Sequence, residues 1–594
     1  MINKRIEALQ EILKQKKLAA IIIPTQDFHM SEYVGEYFKA RRYFSGFTGS
    51  AGVMVITQNQ ANLWTDGRYF IQAPKELAGS CVVLQKMGEE GVPTVKEYLK
   101  KTLKSGDVLC FDGRVISTKE CREYEEELGQ QGVTLYTKED LVGLVWHDRP
   151  ALSCEPAFIL REKYAGETVV DKLAKVRKVM AEKGADVHIL GSLDDIAWLF
   201  NIRGNDVANT PVVLSYGAIT MDNAIIFANS NVFSSEMKGE LEKSGVTLKE
   251  YDEIYSYAQS IAKEKKVMLD IARTNCAIAN AIKAEIIEVE NPEILLKAVK
   301  NPIEVENTKL GHIYDGVAVT KFMYWLKTNV GKIKITELSA QNYLAKLRSE
   351  QPGFIDLSFT TIAGYKEHAA MMHYSANEET DVELKAEGML LVDSGGQYYN
   401  GTTDITRTFV LGPITPEQKL HFTTIVQSVM AVSNLKFLQG CRGINFDIMA
   451  REPLWEMGLD YKCGTGHGVG YLLNVHEGPN GFRWKAAPDR NEGAVFQEGM
   501  ITTIEPGVYI EGSHGIRTEN ELLCCKGEKN EYGQFLYFEP ITYAPIDLDG
   551  IEPERMSQKE RNWLNDYHKA VYEKISPYLN QEEKEWLKKY TSAI

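Results

Sequence analysis

No apolar run near the start of this chain is long enough to cross a bilayer. The segment LAAIIIP, residues 18–24, is far too short and reads as a buried strand. No secretory h-region follows the charged, amphipathic opening MINKRIEALQEILKQKK. Basic excess is also missing. The formal net charge is −15, which argues against a nucleic-acid-binding surface and says nothing about fold. The nine cysteines are scattered, odd in number and without CxxC spacing. Reduced thiols in a cytoplasmic protein account for them most simply. Cys524 and Cys525 are adjacent, so on a strand they point to opposite faces and do not make a ligand pair. These absences leave a globular chain with no membrane and no nucleic-acid partner. At 594 residues, 44% hydrophobic and 25% charged, it is sized for two to four domains.

The chemistry is concentrated near LLVDSGGQYYNGTTDITRTF, residues 390–409. Met389 to Val392 is a short apolar run, as in a buried strand. Gly395, Gly396, Asn400 and Gly401 are turn residues. A second strand follows, with Ile405, Arg407 and Phe409 alternating with Thr406, Thr408 and Val410. A tight antiparallel hairpin would set Asp393 beside Asp404. Two adjacent carboxylates at the end of an apolar strand are costly without a cation or a shared proton. Taken alone, both acids also suit turn capping.

Three later stretches change the weighting. GTGHGVG, residues 464–470, puts His467 in a glycine-rich segment where backbone can approach closely. ITTIEPG ends an apolar strand in Glu505, and GIRTEN brings Glu519 to the start of another. Four carboxylates with one imidazole carry too much negative charge for a single divalent ion. Two ions plus a bridging hydroxide leave about one charge, which favours a two-metal site. Oxygen-rich ligands with one His suit Mn²⁺, Co²⁺ or Zn²⁺.

The rest of the chain reads as α/β (α+β). Ile2, Ile6, Leu9 and Leu13 form a helical stripe, followed by a strand at Ala19–Ile23 and a hairpin at residues 52–56 and 61–64. The order recurs with Val169, Leu173, Val176 and Met180, a helix stop at Gly184, a strand at residues 186–190 and a hairpin at residues 212–216 and 224–228. This predicts a duplicated α/β domain, residues 1–157 and 158–299. Neither copy offers an acid pair near a His; Trp64 reads as a packed aromatic and Asp66 as a turn acid. Asn301, Pro302 and Glu304 spell a capped helix start, so residues 300–594 form the third domain. Two αββ-type halves forming a curved mixed sheet are expected there.

DSGGQYYNGTTDITRTF, GTGHGVG, NVHEGP, IEPGVY and GIRTEN together resemble the motifs of aminopeptidase P, the X-Pro aminopeptidases of the pita-bread metallopeptidase family. RRYFSGFTGSAG, WTDGRYFIQA and the tail FEPITYAPIDLDG with WLNDYHKAVYEKISPYL resemble its long three-domain form. The resemblance implies two creatinase-like N-terminal domains followed by a pita-bread catalytic domain. It implies removal of the first residue from peptides with proline second. It implies two divalent ions, most simply Mn²⁺: Asp393 on one metal, His467 and Glu505 on the other, Asp404 and Glu519 bridging. Glu505 would shuttle the proton from a metal-bridging hydroxide to the leaving nitrogen. His373 and His476 match histidines that contact substrate, Arg517 would orient Glu519, and Tyr509 would take a similar substrate-side part. The N-terminal domains would shape the entrance to the site and help dimerise.

Prolidase and methionine aminopeptidase share this ligand set but resemble shorter chains. A non-catalytic pita-bread binding protein would be expected to have lost ligands. His368 has no counterpart in the resemblance and reads as a surface residue. Trp563, Leu564, Tyr567 and Val571 form a helical stripe in need of a partner surface, another subunit or its own domain; a homodimer is expected. The family's usual His-Gly-Thr-Gly-His-Gly begins here with Cys463, expected either as packing at a helix end or as a pocket thiol activated by nearby dications.

Overall fold

A computed structural model of the chain describes residues 1–485 and 492–594. These form two compact units: Met1–Arg161 with Glu167–Glu293, and Glu162–Gly166 with Ile294–Ile594.

In the first unit, α1 (Ile2–Lys16) buries Ile6, Leu9 and Leu13, the expected stripe. Burial of such side chains stabilises by about 1.5–3 kcal/mol each. Strands β1 (Ala20–Pro24), β2 (Val53–Thr57), β3 (Ala61–Thr65), β4 (Val82–Lys86) and β5 (Val108–Cys110) follow, then α2 (Thr118–Gly129) and β6 (Thr134–Tyr136). They form one sheet ordered β4-β3-β2-β1-β5-β6. The second copy has α3 (Val169–Lys183), β7 (Val187–Leu190), β8 (Ser215–Thr220), β9 (Ala224–Ala228), β10 (Val246–Lys249), β11 (Lys266–Leu269), α4 (Cys276–Ala281) and β12 (Glu285–Glu288). Its sheet runs β10-β9-β8-β7-β11-β12. Both sheets pair antiparallel through the central hairpin and parallel outside it, so the duplication extends to every connection.

Gly184 ends α3 at φ +67°, the left-handed cap that glycine adopts freely. The strand expected at residues 212–216 starts at Ser215 instead. The backbone before it is engaged by Asp206, whose N–H donates to the Val212 carbonyl at 3.1 Å and whose Oδ2 accepts from Leu214 at 2.8 Å. Trp64 is fully buried, its indole N–H donating to the Pro93 carbonyl at 2.7 Å, and Asp66 caps the turn at Arg68. Neither belongs to the group of possible metal ligands found among the described residues.

The second unit opens with α5 (Pro302–Asn329). Asn301 accepts from the N–H of Ile303 and Glu304, and Glu304 accepts from that of Asn301, the capping box read from sequence. Such a cap is worth about 1 kcal/mol. Next come β13 (Ile362–Tyr365), β14 (Met389–Ser394), β15 (Gly396–Tyr398), β16 (Gly401–Thr402) and β17 (Ile405–Val410). Then follow β18 (Lys436–Leu438), β19 (Gly466–Gly468), β20 (Glu477–Phe482), β21 (Ile501–Ile504), β22 (Gly507–Ile510), β23 (His514–Arg517), β24 (Asn520–Asn530) and β25 (Gly533–Pro540), with α6 (Gln558–Ile575) near the end.

β15 and β16 join the strand Phe354–Leu357 in one sheet, and β22 and β23 pair in another; the two sheets that carry the site are β13-β14-β17 and β18-β25-β24-β21-β19-β20. Every strand pair in them is antiparallel, which corrects the expected mixed sheet. The acid-bearing strands are joined by inserted hairpins rather than crossover helices, so neighbours run in opposite directions. The sheets are joined where the Glu519 N–H donates to the Thr406 carbonyl at 3.1 Å.

On α6, Leu564, Tyr567, Val571 and Ile575 are buried in this unit's own core, with Trp563 packed against it. The stripe is therefore satisfied within the chain and does not supply the dimer surface expected of it. Among the described residues no helix is long and apolar enough to cross a membrane.

Candidate metal centre

Asp393 ends β14 opposite Thr406, and Asp404 directly precedes β17. The hairpin is not tight, because the small β15/β16 hairpin is inserted between them. Glu505 follows β21, and Glu519 precedes β24 at the end where Ile504 faces Asn520. There the β22/β23 hairpin is the insert. Each sheet thus projects two acids from one end of a strand pair. His467 comes from β19, where a Cβ on Gly466 would overlap the Thr503 carbonyl and one on Gly468 the Glu477 carbonyl. Glycine is needed on both sides of the His for the ladder to close.

Ligand atoms of Asp404, His467 and Glu519 all lie within 4.8 Å of one another. Nε2 of His467 is 3.4 Å from Asp404 Oδ2 and 3.5 Å from Glu505 Oε1. Its Nδ1 lies 2.9 Å from the Gly468 carbonyl. A carbonyl only accepts, so Nδ1 carries hydrogen and, in the neutral ring, Nε2 presents a lone pair to two carboxylates. That contact is repulsive unless a cation lies between them.

Asp393 Oδ1 and Glu519 Oε1 are buried with no hydrogen-bond partner. A protonated His467 would pair with one carboxylate and leave these oxygens unmet. Burial, then the carboxylates of Asp393 and Glu505, push Asp404 well above the usual carboxylate range. Burial, then Asp404 and Glu505, do the same to Glu519. Orphaned oxygens, a lone pair and uncompensated charge are what hard divalent cations satisfy. The residues present fit a metal centre.

The remaining residues sort by contact. Arg517 donates from Nη2 to Asp393 Oδ2 at 2.5 Å, from Nη1 to the Tyr509 hydroxyl at 2.7 Å and from Nε to Thr406 Oγ at 3.1 Å. The Thr406 hydroxyl in turn donates to Glu519 Oε2 at 2.8 Å. Arg517 therefore holds Asp393 directly and reaches Glu519 only through Thr406, whereas Glu519 was its expected partner. Tyr509 contacts Arg517. His476 places its ring 4.2 Å from that of His467, edge to face. His373 is half-buried beside Met372, whose carbonyl accepts from Arg517 at 3.4 Å.

His368 is half-buried rather than a free surface residue, with 22% of its side chain exposed. Its Nδ1 lies 2.9 Å from Oε1 of the fully buried Glu337, a partner supplied by a distant helix. Cys463 lies beyond the helix Asp447–Trp455 and does not end it. Burial, then Glu505, push its thiol up to about 12, so the metal-free protein keeps it protonated rather than activated.

Sequence reasoning missed two supports. Arg407, fully buried, donates to the Glu519 carbonyl at 2.5 Å and to the Tyr567 hydroxyl at 2.7 Å. Glu521 accepts from the Asp404 N–H at 2.8 Å and lies 3.1 Å from His312 Nε2. An arginine inside an apolar strand, and an acid two residues beyond Glu519 on the same strand face, were the available signals.

The fold and the buried carboxylate–imidazole cluster define a candidate metal-binding protein. Two separate models of the creatinase/prolidase N-terminal domain match, one over residues 5–142 and the other over residues 148–304. That of metallopeptidase family M24 matches residues 306–526, and that of its C-terminal region residues 534–594. A probable Xaa-Pro aminopeptidase P of Coprinopsis cinerea is 36% identical, with 100% of this chain and 98% of the relative covered. Xaa-Pro aminopeptidase 1 of Dictyostelium discoideum is 35% identical over 99% and 96%. An X-prolyl aminopeptidase from Caenorhabditis elegans, described as a cytosolic enzyme with a di-nuclear active site, superposes with a TM-score of 0.94 at 31% identity over 100% of both chains. A Bacillus anthracis Xaa-Pro dipeptidase shares the fold over 64% of this chain and 99% of its own, with a TM-score of 0.50 at 21% identity. The chain belongs to metallopeptidase family M24.

Proposed function

We propose that the chain is an Xaa-Pro aminopeptidase that releases the first residue from peptides with proline at position two. Residues 300–594 would form its catalytic domain, and residues 1–157 and 158–299 the duplicated N-terminal pair. The observation that carries this reading is the buried cluster of Asp404, His467 and Glu519, with unmet oxygens on Asp393 and Glu519, in a chain that aligns end to end with Xaa-Pro aminopeptidases.

Asp393, Asp404, His467, Glu505 and Glu519 would hold two divalent ions, Mn²⁺ before Zn²⁺ or Co²⁺ on the oxygen-rich donor set. When bound, the ions supply Lewis acidity and an activated water near neutral pH. The chain's own groups do the rest. Glu505, whose side chain keeps 22% of its exposure, takes the proton of the attacking water and gives it to the leaving proline nitrogen. That nitrogen belongs to a tertiary amide with no N–H, so a positioned acid is needed to make it leave as an amine. His476, against His467, and His373 hold and polarise the scissile carbonyl. Arg517 fixes Asp393, and Tyr509 braces Arg517 at the substrate side.

Resemblance to the long family form supports a homodimer, and the cytosolic relative supports a cytoplasmic location. A peptide panel after chelation and Mn²⁺ return tests the activity. Cleavage of Xaa-Pro-Yaa over Xaa-Pro is the expected outcome; a clear preference for the dipeptide would make the chain a prolidase.

A further inference from the structure

All nine cysteines are free thiols, yet two of them meet. Cys121 lies on α2 of the first N-terminal copy and Cys276 opens α4 of the second. Their sulfurs are 2.7 Å apart. Both residues are buried, with 6% and 1% of their surface exposed.

The approach is fixed by backbone. Thr118 N–H donates to the Thr274 carbonyl at 2.9 Å, Cys276 N–H to the Ile116 carbonyl at 2.9 Å and Ala277 N–H to the Gly113 carbonyl at 3.0 Å. Ser117 and Asn275 form an antiparallel bridge. Each cysteine thus hangs from a segment already bonded to the other copy. The Asn280 amide donates to the Cys276 sulfur at 3.1 Å, and the Cys276 thiol lies against the Cys121 sulfur, which accepts from it. The Asn280 donor favours a thiolate on Cys276, whose pKa is lowered, first by the contact with Cys121 and then by Asn280, against the effect of burial. Cys110 in the same unit shows the contrast: burial, then the Glu139 carboxylate, push its thiol up to about 12.

We infer that Cys121 and Cys276 are a thiol–disulfide site that ties the two N-terminal copies together under oxidising conditions. The oxidant is a small-molecule disulfide of the glutathione type. The Cys276 thiolate attacks one of its sulfurs and expels one thiolate. The Cys121 sulfur then attacks the Cys276 sulfur of the mixed disulfide and expels the second. Two protein thiols lose two electrons and two protons, and the small disulfide gains both to become two thiols. The sulfurs need close by only about 0.7 Å from 2.7 Å to reach the ~2.0 Å of the bond. The link closes a loop of 155 residues (276 − 121), long enough to restrict the unfolded chain. Burial makes exchange slow in both directions.

The test uses the full-length protein, reduced and then equilibrated with glutathione disulfide, denatured, alkylated and mapped without reductant. A peptide linking Cys121 to Cys276 is expected while Cys110 is alkylated. The unfolding temperature should rise by about 2–4 °C over the reduced protein. That rise should vanish in Cys121→Ser and on return to reductant. Two alkylated thiols, a glutathione adduct left on either cysteine, or a rise that persists in Cys121→Ser would each overturn the assignment. Should Cys121→Ser fail to fold, the peptide map of the unsubstituted protein decides by itself.

Discussion

In the β14/β17 pair the outer acid, Asp393, is held by the Arg517 guanidinium at 2.5 Å. In the β21/β24 pair the outer acid, Glu505, faces the His467 ring at 3.5 Å and the Thr503 hydroxyl at 3.4 Å instead. The inner acids, Asp404 and Glu519, are almost wholly buried, at 4% and 1% exposure, and both are pushed well above the usual carboxylate range, Asp404 by burial, then Asp393 and Glu505, and Glu519 by burial, then Asp404 and Glu505. Two strand pairs of the same build therefore carry three kinds of carboxylate. One is fixed by a cation from the chain, one is partly open to solvent, and two are buried carboxylates with no lysine or arginine paired to them among the described residues. The difference suggests a division of labour between holding ions and doing chemistry.

Substitution of the inner acids tests that division most severely. Asp404→Asn and Glu519→Gln should each lower kcat/KM on Xaa-Pro-Yaa peptides by on the order of 10⁴-fold or more, with circular dichroism unchanged. Near-normal turnover with metal bound would erase the distinction between inner and outer acids. The same residues govern pH behaviour after chelation. A carboxyl whose folded pKa is raised stabilises fully below its unfolded value near ~4 and loses that contribution as pH rises through the raised value. The chelated protein should therefore melt at lower temperature as pH rises above the ordinary carboxylate range. Asp404→Asn should melt higher than the chelated parent and flatten the slope, and added divalent ions should flatten it too. A parent melting curve independent of pH would contradict the charge account.

The histidines sharpen the chemistry side of the comparison. His476→Ala and His373→Ala should each lower kcat by roughly 10²–10³-fold while both ions stay bound. Loss of metal in either variant would move that His into the holding group. Next in size is Arg517→Ala, which leaves Asp393 without its guanidinium. It should weaken metal affinity or activity by about 10–100-fold, with partial recovery in Arg517→Lys. The smallest effect belongs to Cys463→Ser, expected within about threefold of the parent, under ~0.7 kcal/mol. Alkylation of the chelated enzyme at Cys463 should be slow, because burial and Glu505 hold its thiol protonated. Rapid alkylation that a product-like Xaa-Pro inhibitor prevents would restore the view of an activated pocket thiol.

The acids were legible because each ends or starts an apolar strand beside turn residues, and His467 because glycines flank it on both sides, both local signals. The Asn301 cap and the duplication were legible for the same reason: period, stop and cap recur in order. Strand direction in the second unit was not, since it depends on whether the chain returns through a hairpin or a crossover. The true start of β8 was hidden because Asp206, several residues upstream, captures the preceding backbone. His368 looked exposed because its partner, Glu337, is 31 residues away in sequence. Arg517 was read as a support for Glu519 by proximity in sequence, whereas its guanidinium crosses to Asp393 on the other sheet.

Titration of the chelated protein with Mn²⁺, followed by calorimetry and by turnover of an Xaa-Pro-Yaa peptide, tests the two-ion centre most directly. The account predicts two ions per chain, with full activity reached only as the second is filled, and no such restoration in Asp404→Asn. Full activity at one ion per chain, or undiminished activity after complete chelation, would contradict it.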